Sequence, residues 1–239
     1  MGVNPKGLPR LENREPLARS METEHWLILT NGEWCHEKDL GMLLDQATMI
    51  VACDGALNAC EERGIQPNVV IGDLDSVNEA LLSSHEQSGC LIINVPNPDL
   101  NDLAKGLEFV EEQGSKACVV IGATGGEREH EWANMMACAA SGLDIQCIAP
   151  KEEFRFFCPG ESYSIDAIAG SQFSIFGVPF AEGVKLTGCT YELRGEHLEL
   201  GSRGLHNQAN GTLAISYEDG RLLMIRSLPA SEEEGTNEA

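Results

Sequence analysis

Through the first two thirds of this chain, short apolar runs end on glycine, asparagine or aspartate, and stretches with helical spacing lie between them. That alternation constrains the fold more than any other feature. Trp26-Leu27-Ile28-Leu29 is closed by Thr30-Asn31-Gly32, and the run 47–53 ends on Asp54-Gly55. Helix-like residues 56–63 follow, with Gly64 placed as a C-cap. Val69-Val70-Ile71 runs into Gly72-Asp73, and the run 90–95 runs into Pro96. Cys118-Val119-Val120-Ile121 runs into Gly122-Ala123-Thr124-Gly125-Gly126, and a sixth run spans 145–149. Between them, 103–112 carries apolar residues at 103, 107 and 110, and 132–140 also reads as helix. Runs with apolar neighbours on both sides are strands buried on both faces. Separated by helices, such strands build a parallel α/β sheet.

After Pro150 the pattern changes. Short β-like runs at 162–168, 172–176, 184–187, 190–193, 213–217 and 222–225 are punctuated by glycines, the pattern of an antiparallel β-sandwich. The expected fold class is therefore α/β: a Rossmann-like parallel α/β domain over 23–155, followed by an antiparallel β-sandwich over 156–228. Residues 1–22, polar and carrying Pro5, Pro9 and Pro16, read as a flexible extension. Residues 229–239 read as an acidic disordered tail.

Charge narrows the function. Sixteen Lys and Arg stand against 38 Asp and Glu, a formal net charge of −22. Such a surface repels nucleic-acid backbones and anionic membranes, so neither is an expected partner. A phosphorylated small molecule can approach it with a divalent cation as screen. No apolar stretch approaches the roughly 18–20 residues of a membrane span, and the first residues lack a signal peptide's apolar core. Nine cysteines contain no C-x-x-C pair, which fits reduced, buried thiols in a cytoplasmic protein better than a zinc site.

Three segments carry candidate chemistry, each following a strand, where ligands of open α/β sheets bind. Gly72-Asp73-Leu74-Asp75-Ser76 offers two carboxylates at i and i+2; these can converge on a hard cation such as Mg²⁺, or the segment can be a plain turn. In Pro98-Asp99-Leu100-Asn101-Asp102-Leu103-Ala104-Lys105, Asp99 or Asn101 can cap the next helix. Asp102 then falls in its first turn, and Lys105 one turn on. The third segment runs from Gly122 to Asn134, with Glu129 and His130 inside it. Its glycines let backbone N–H groups approach a phosphate, although it is neither a P-loop nor a dinucleotide fingerprint.

Taken together the segments resemble one family, thiamine pyrophosphokinase. Asp54-Gly55-Ala56-Leu57-Asn58 resembles its Asp-Gly-(x)-x-Asn segment, and Gly72-Asp73-Leu74-Asp75-Ser76 matches its Gly-Asp-x-Asp-Ser motif. Asn101-Asp102-Leu103-Ala104-Lys105 resembles its Thr-Asp-x-x-Lys motif, with Asn for Thr. Residues 125–134 resemble Gly-Gly-Arg-x-Asp-His-x-x-Ala-Asn, with Glu127 for Arg and Glu129 for Asp. Gly204-Leu205-His206-Asn207 stands where the family has Gly-x-Ser-Asn, so His206 replaces a serine. The resemblance implies transfer of diphosphate from ATP to the hydroxyl of thiamine, with Mg²⁺ as cofactor, in a homodimer. It implies Asp73, Asp75 and Asp102 as metal ligands and, with Lys105, as the catalytic set. It implies Asp54, Asn58, Gly125, Gly126, Arg128, Glu129 and His130 as nucleotide contacts, and His206 and Asn207 as acceptor contacts. A diphosphokinase for another alcohol, such as a hydroxymethylpterin, and a non-catalytic homologue are the alternatives.

Overall fold

The structure, a computed structural model, describes residues 25–75 and 77–228; the expected extension over 1–22 and tail over 229–239 lie outside the described residues. A parallel array comes first. Strands β1 (Trp26–Leu29), β2 (Met49–Cys53), β3 (Val69–Gly72), β4 (Leu91–Asn94), β5 (Ala117–Ile121) and β6 (Asp144–Ile148) stand in the order β4-β3-β2-β1-β5-β6, every neighbouring pair parallel. Helices α1 (Glu37–Gln46), α2 (Leu57–Glu62), α3 (Glu79–Gln87), α4 (Asp102–Glu112) and α5 (Arg128–Ala140) connect them, and a single 3₁₀ turn, Asp54–Ala56, precedes α2.

Successive strand side chains point to opposite faces, and both faces of this sheet are covered. On β1, Trp26 and Ile28 join one core with Leu103, Leu107 and Val110 of α4. Leu27 and Leu29 join another with Leu40 of α1 and Leu57 of α2. Each of these residues is buried, which is why the strand sequences read as continuous apolar runs rather than as alternations.

The sheet does not stop where the helices do. β7 (Glu152–Phe157) pairs antiparallel with β6 on one side and with β12 (Asp219–Ser227) on the other. Beyond β12 lie β9 (Gln172–Cys189), β11 (Asn207–Ser216) and β8 (Ser162–Ile165), while β10 (Leu193–Glu199) pairs antiparallel with β9. The result is a mixed sheet of twelve strands, parallel through β6 and antiparallel beyond it except where β9 and β11 pair parallel. The boundary expected after residue 155 falls inside β7. The two runs expected at 172–176 and 184–187 are one long strand of 18 residues.

Strand β7 serves both halves by the alternation of its side chains. Phe156 packs into the helix-covered core and Phe157, one residue on, into a third core formed with Ile175, Val184, Leu213 and Leu222. Arg221 of β12 clamps this junction. Its guanidinium is buried and donates from Nη1 to the Phe157 carbonyl (2.9 Å) and from Nη2 to the carbonyls of Cys138 (2.9 Å) and Leu143 (2.6 Å). Removing it would take a donor from three carbonyls at the junction, of which that of Phe157 keeps the Tyr217 hydroxyl. Arg221→Leu is therefore expected to cost about 2–5 kcal/mol. Urea unfolding of the two proteins measures it, and a loss below about 0.5 kcal/mol would show that the carbonyls find other donors.

Candidate active site

The carboxyl ends of β1 to β5 open onto one crevice of about 560 Å³. Its walls are the loops that follow those strands. The loops after β1 and β5 are bonded to each other: Gly32 N–H donates to the Gly122 carbonyl (2.9 Å) and Glu33 N–H to that of Thr124 (2.7 Å). They approach so closely that a Cβ on Gly32 would lie 2.2 Å from the Gly122 carbonyl oxygen, a distance no side chain can occupy.

Asp54 leaves β2 and is buried against the loop after β3. Its Oδ1 accepts the Gly55 N–H (2.6 Å) and its Oδ2 the Leu74 N–H (2.9 Å). This second bond holds Leu74 at φ 64°, an uncommon conformation for a branched residue. Gly72 makes room for the arrangement, since a Cβ there would lie 2.4 Å from Asp54 Cγ. The loop turns Asp73 toward α4. That helix is capped by Asn101, whose Oδ1 accepts the Ala104 N–H (2.9 Å), so Asp102 starts the first turn and Lys105 lies beneath it. Lys105 is buried, with Nζ 2.8 Å from Asp102 Oδ1 and 3.5 Å from Asp73 Oδ2.

Asp54, Asp73 and Asp102 thus offer oxygens that all lie within 4.8 Å of one another. The grouping differs in one member from the set Asp73, Asp75, Asp102: Asp54 enters it, and Asp75 stands outside it, beside Asp73. Hard carboxylate oxygens at this spacing suit a divalent cation such as Mg²⁺. The protonation equilibria show the same surplus of negative charge. Burial, and then the charge of Asp102, raises the Asp54 carboxyl to about 6. The Asp73 charge raises Asp75. Burial works against ionised Asp73, but Lys105 and the Asp75 N–H outweigh it and hold its pKa down. Burial likewise works against charged Lys105, and Asp102 and Asp73 outweigh it.

The glycine loop forms the opposite wall. Gly125 and Gly126 line the crevice, as does His130. The Gly125 N–H is taken up by Glu131 Oε2 (3.3 Å), so a carboxylate of α5 rests on a donor that a phosphate oxygen would use. Asn134 Nδ2 donates to the Ala123 carbonyl (2.9 Å), and its Oδ1 accepts from Asn101 Nδ2 (2.8 Å), which ties α5, the glycine loop and the cap of α4 together. Glu131 and Asn134 were not assigned from the sequence. Asn134 lies one turn after His130, and that spacing was the signal.

Other assigned residues lie elsewhere. Asn58 and Glu129 are exposed and do not line the crevice, and Arg128 lines an apolar groove between α5 and the second half of the sheet. His206 is exposed at φ 58°, its N–H donating to Ser174 Oγ (3.1 Å). Asn207 is buried, and its amide is committed within its own half: Oδ1 accepts from Tyr191 N–H (3.0 Å) and Gln208 N–H (2.8 Å), and Nδ2 donates to the Tyr191 carbonyl (2.8 Å).

A crevice at the carboxyl edge of a parallel sheet defines a class, that of open α/β ligand-binding folds, and its carboxylate oxygens are of a kind that suits a hard divalent cation. Comparison narrows the class. The family model described as thiamin pyrophosphokinase, catalytic domain, matches residues 40–147. A thiamine pyrophosphokinase from Bacillus subtilis is 28% identical over 200 residues, spanning 79% of this chain and 92% of the relative. Among solved structures, the Bacillus subtilis thiamine pyrophosphokinase aligns with a TM-score of 0.70 at 24% identity, covering 85% of this chain and 99% of that one. The thiamin pyrophosphokinase from Candida albicans aligns with a TM-score of 0.70 at 14% identity, covering 87% and 90%. Residues 40–147 are thus similar to the catalytic domain of thiamine pyrophosphokinases, and the solved structures share the fold of the chain.

The raised Asp54 pKa carries a stability consequence with a definite sign. Folding lifts this acid from 3.8 to about 6, so the folded chain holds the proton more tightly than the unfolded one. The resulting stabilisation is present near and below the unfolded value and is lost as pH rises through about 6. In metal-free protein, the Tm of the wild type should fall relative to Asp54→Asn between about pH 4 and about pH 7. Parallel Tm profiles would contradict the assignment.

Proposed function

We propose that this chain transfers diphosphate from ATP to the hydroxyl of thiamine, giving thiamine diphosphate and AMP, with Mg²⁺ as cofactor. The observation that carries the reading is the meeting of Asp54, Asp73 and Asp102 above buried Lys105, opposite the glycine loop, in a chain whose residues 40–147 match the thiamin pyrophosphokinase catalytic-domain model. Asp54, Asp73 and Asp102 would hold the cation, with Asp75 adding charge beside Asp73. A bound Mg²⁺ supplies neutralisation and orientation of the diphosphate oxygens.

The chain's own residues do the rest. The thiamine hydroxyl oxygen attacks the β-phosphorus, the bond from that phosphorus to the oxygen bridging toward the α-phosphorus breaks, and AMP leaves with the electron pair. The hydroxyl proton passes to a crevice carboxylate, Asp73 or Asp102. Lys105 holds both carboxylates in place and adds positive charge under the transferred group. Gly125 and Gly126 offer backbone N–H groups once the phosphate displaces Glu131, and His130 lines the same wall. Little covalent work falls to the protein, and positioning contributes much of the rate.

The finer domain assignment follows from the same reading: the parallel α/β half, 23–155, holds the nucleotide, and the strands of 156–228 hold the acceptor. His206 contributes its exposed ring to the acceptor, and Asn207 acts by fixing the Tyr191 turn. The acceptor half comes from a second copy, in a cytoplasmic homodimer. Trp132, Met136 and Leu200, exposed by 66%, 52% and 73%, line the apolar groove beside α5 and mark the face for that copy. No helix among the described residues is long and apolar enough to cross a membrane.

Incubation with ATP, Mg²⁺ and thiamine, followed by detection of AMP and thiamine diphosphate, tests the reaction. Asp73→Asn should lower turnover at least about 100-fold while leaving the Tm within a few degrees, and excess EDTA should stop the wild type. Near-normal rates in either case would remove Asp73 or the cation from the mechanism. By sedimentation, the wild type should run as a dimer and Met136→Glu as a monomer; a monomeric wild type would overturn the assembly.

A further inference from the structure

We propose that the cleft between Trp34 and Arg63 receives the purine base of the nucleotide. The assignment rests on the diphosphate-transfer reading and deepens it, since it divides the site into a phosphate end and a base end. The cleft, of about 440 Å³, lies beside the carboxylate crevice and shares Asn31 and Gly32 with it. Both volumes lie within the roughly 300–1,000 Å³ of small-molecule sites. The shared residues form the loop after β1. This strand has β2 on one side and β5 on the other, so its loop stands where an open α/β sheet parts to admit a ligand.

The chemistry of the two cavities is complementary. The carboxylate crevice offers oxygens, an ammonium group and backbone N–H groups, and among the described residues His130 is the one ring in its wall. A purine gains most of its binding from stacking, so the phosphate end gives it little. The adjoining cleft supplies the missing surface. Trp34 is held by a bond from its Nε1 to the Thr30 carbonyl (2.8 Å), and Arg63 lies 4.8 Å above the indole centroid. A ring and a guanidinium facing each other are the two sides of a base sandwich. Among the described residues Arg63 pairs with exposed Glu37, at 3.5 Å, and with the Ala59 carbonyl, so it can lift from the indole and close over the base. The carboxylates of Glu33 and Glu37 line the cleft and can accept the exocyclic amine of adenine. The bond from Glu33 N–H to the Thr124 carbonyl fixes the cleft against the glycine loop, which sets the spacing between base and phosphates.

Steady-state kinetics of the full chain test the assignment, varying ATP at saturating thiamine and then the reverse, for wild type, Trp34→Ala and Trp34→Phe. Trp34→Ala should raise the KM for ATP about tenfold or more, Trp34→Phe should keep most of the affinity, and the KM for thiamine should not move. An unchanged KM for ATP in Trp34→Ala, or a shift in the thiamine KM instead, would overturn the base site while leaving the reaction standing. A binding measurement separates the two readings if the wild type shows no turnover. Mg²⁺–ATP and AMP should quench tryptophan emission in the wild type and not in Trp34→Phe, and Mg²⁺–tripolyphosphate should quench neither. Equal quenching by tripolyphosphate, or none by AMP, would count against the cleft whatever the activity.

Discussion

The Lys105 ammonium, buried under Asp73 and Asp102, is the interaction on which the crevice depends. It fastens the loop after β3 to the first turn of α4. A buried cation without partners would cost several kcal/mol, so the fold and the carboxylate cluster require each other. Two charges of opposite sign are thereby satisfied, and the remaining carboxylates are left in excess. The raised equilibrium of Asp54 is the measure of that excess. A net charge of −22 extends it over the whole molecule, so that a polyphosphate meets repulsion everywhere except where a cation is held.

Much of this could be read in the chain itself. β1, β2, β3 and β5 are legible because strands covered on both faces consist of little but apolar residues. α1 and α3 were harder, because few of their residues are buried and their acidic faces give a faint period. β7 was hidden by its charges. Glu153, fully buried, is tolerated as the second residue of that strand because Arg226 and Gln146 pair with it from neighbouring strands, and no local pattern announces such partners. The long β9 was split in two by its glycines, which in the structure serve close approach: a Cβ on Gly177 would lie 2.2 Å from the Leu198 carbonyl oxygen.

The site was legible in its motifs and less so in its membership. Asp102 and Lys105 sit together because spacing on one helix turn is local, and Asp73 reaches them because β3 ends and α4 begins at the same crevice. Whether Asp54 or Asp75 completes the cluster is decided by tertiary packing, through Gly72 and the bond to Leu74 N–H. Arg128 and Glu129 follow the glycine loop in sequence but project from the start of α5 away from the crevice. His130 and Asn134 share the inward side. Asn207, a polar residue on a strand in the second half, reads from the resemblance as an acceptor contact; in the structure its amide is bonded to Tyr191, Gln208 and Cys189.

The shared strand β7 has a mechanical consequence. In many nucleotide-handling enzymes two lobes swing about a linker to wrap the substrates. Here such a swing would have to shear six paired residues between β7 and β12 and four between β6 and β7, and tear Arg221 from its carbonyls. The halves therefore behave as one stiff body. Whatever closes over a bound molecule must be small and local, a side chain lifting or a loop tightening, and the desolvation that accompanies catalysis has to be achieved without lobe motion.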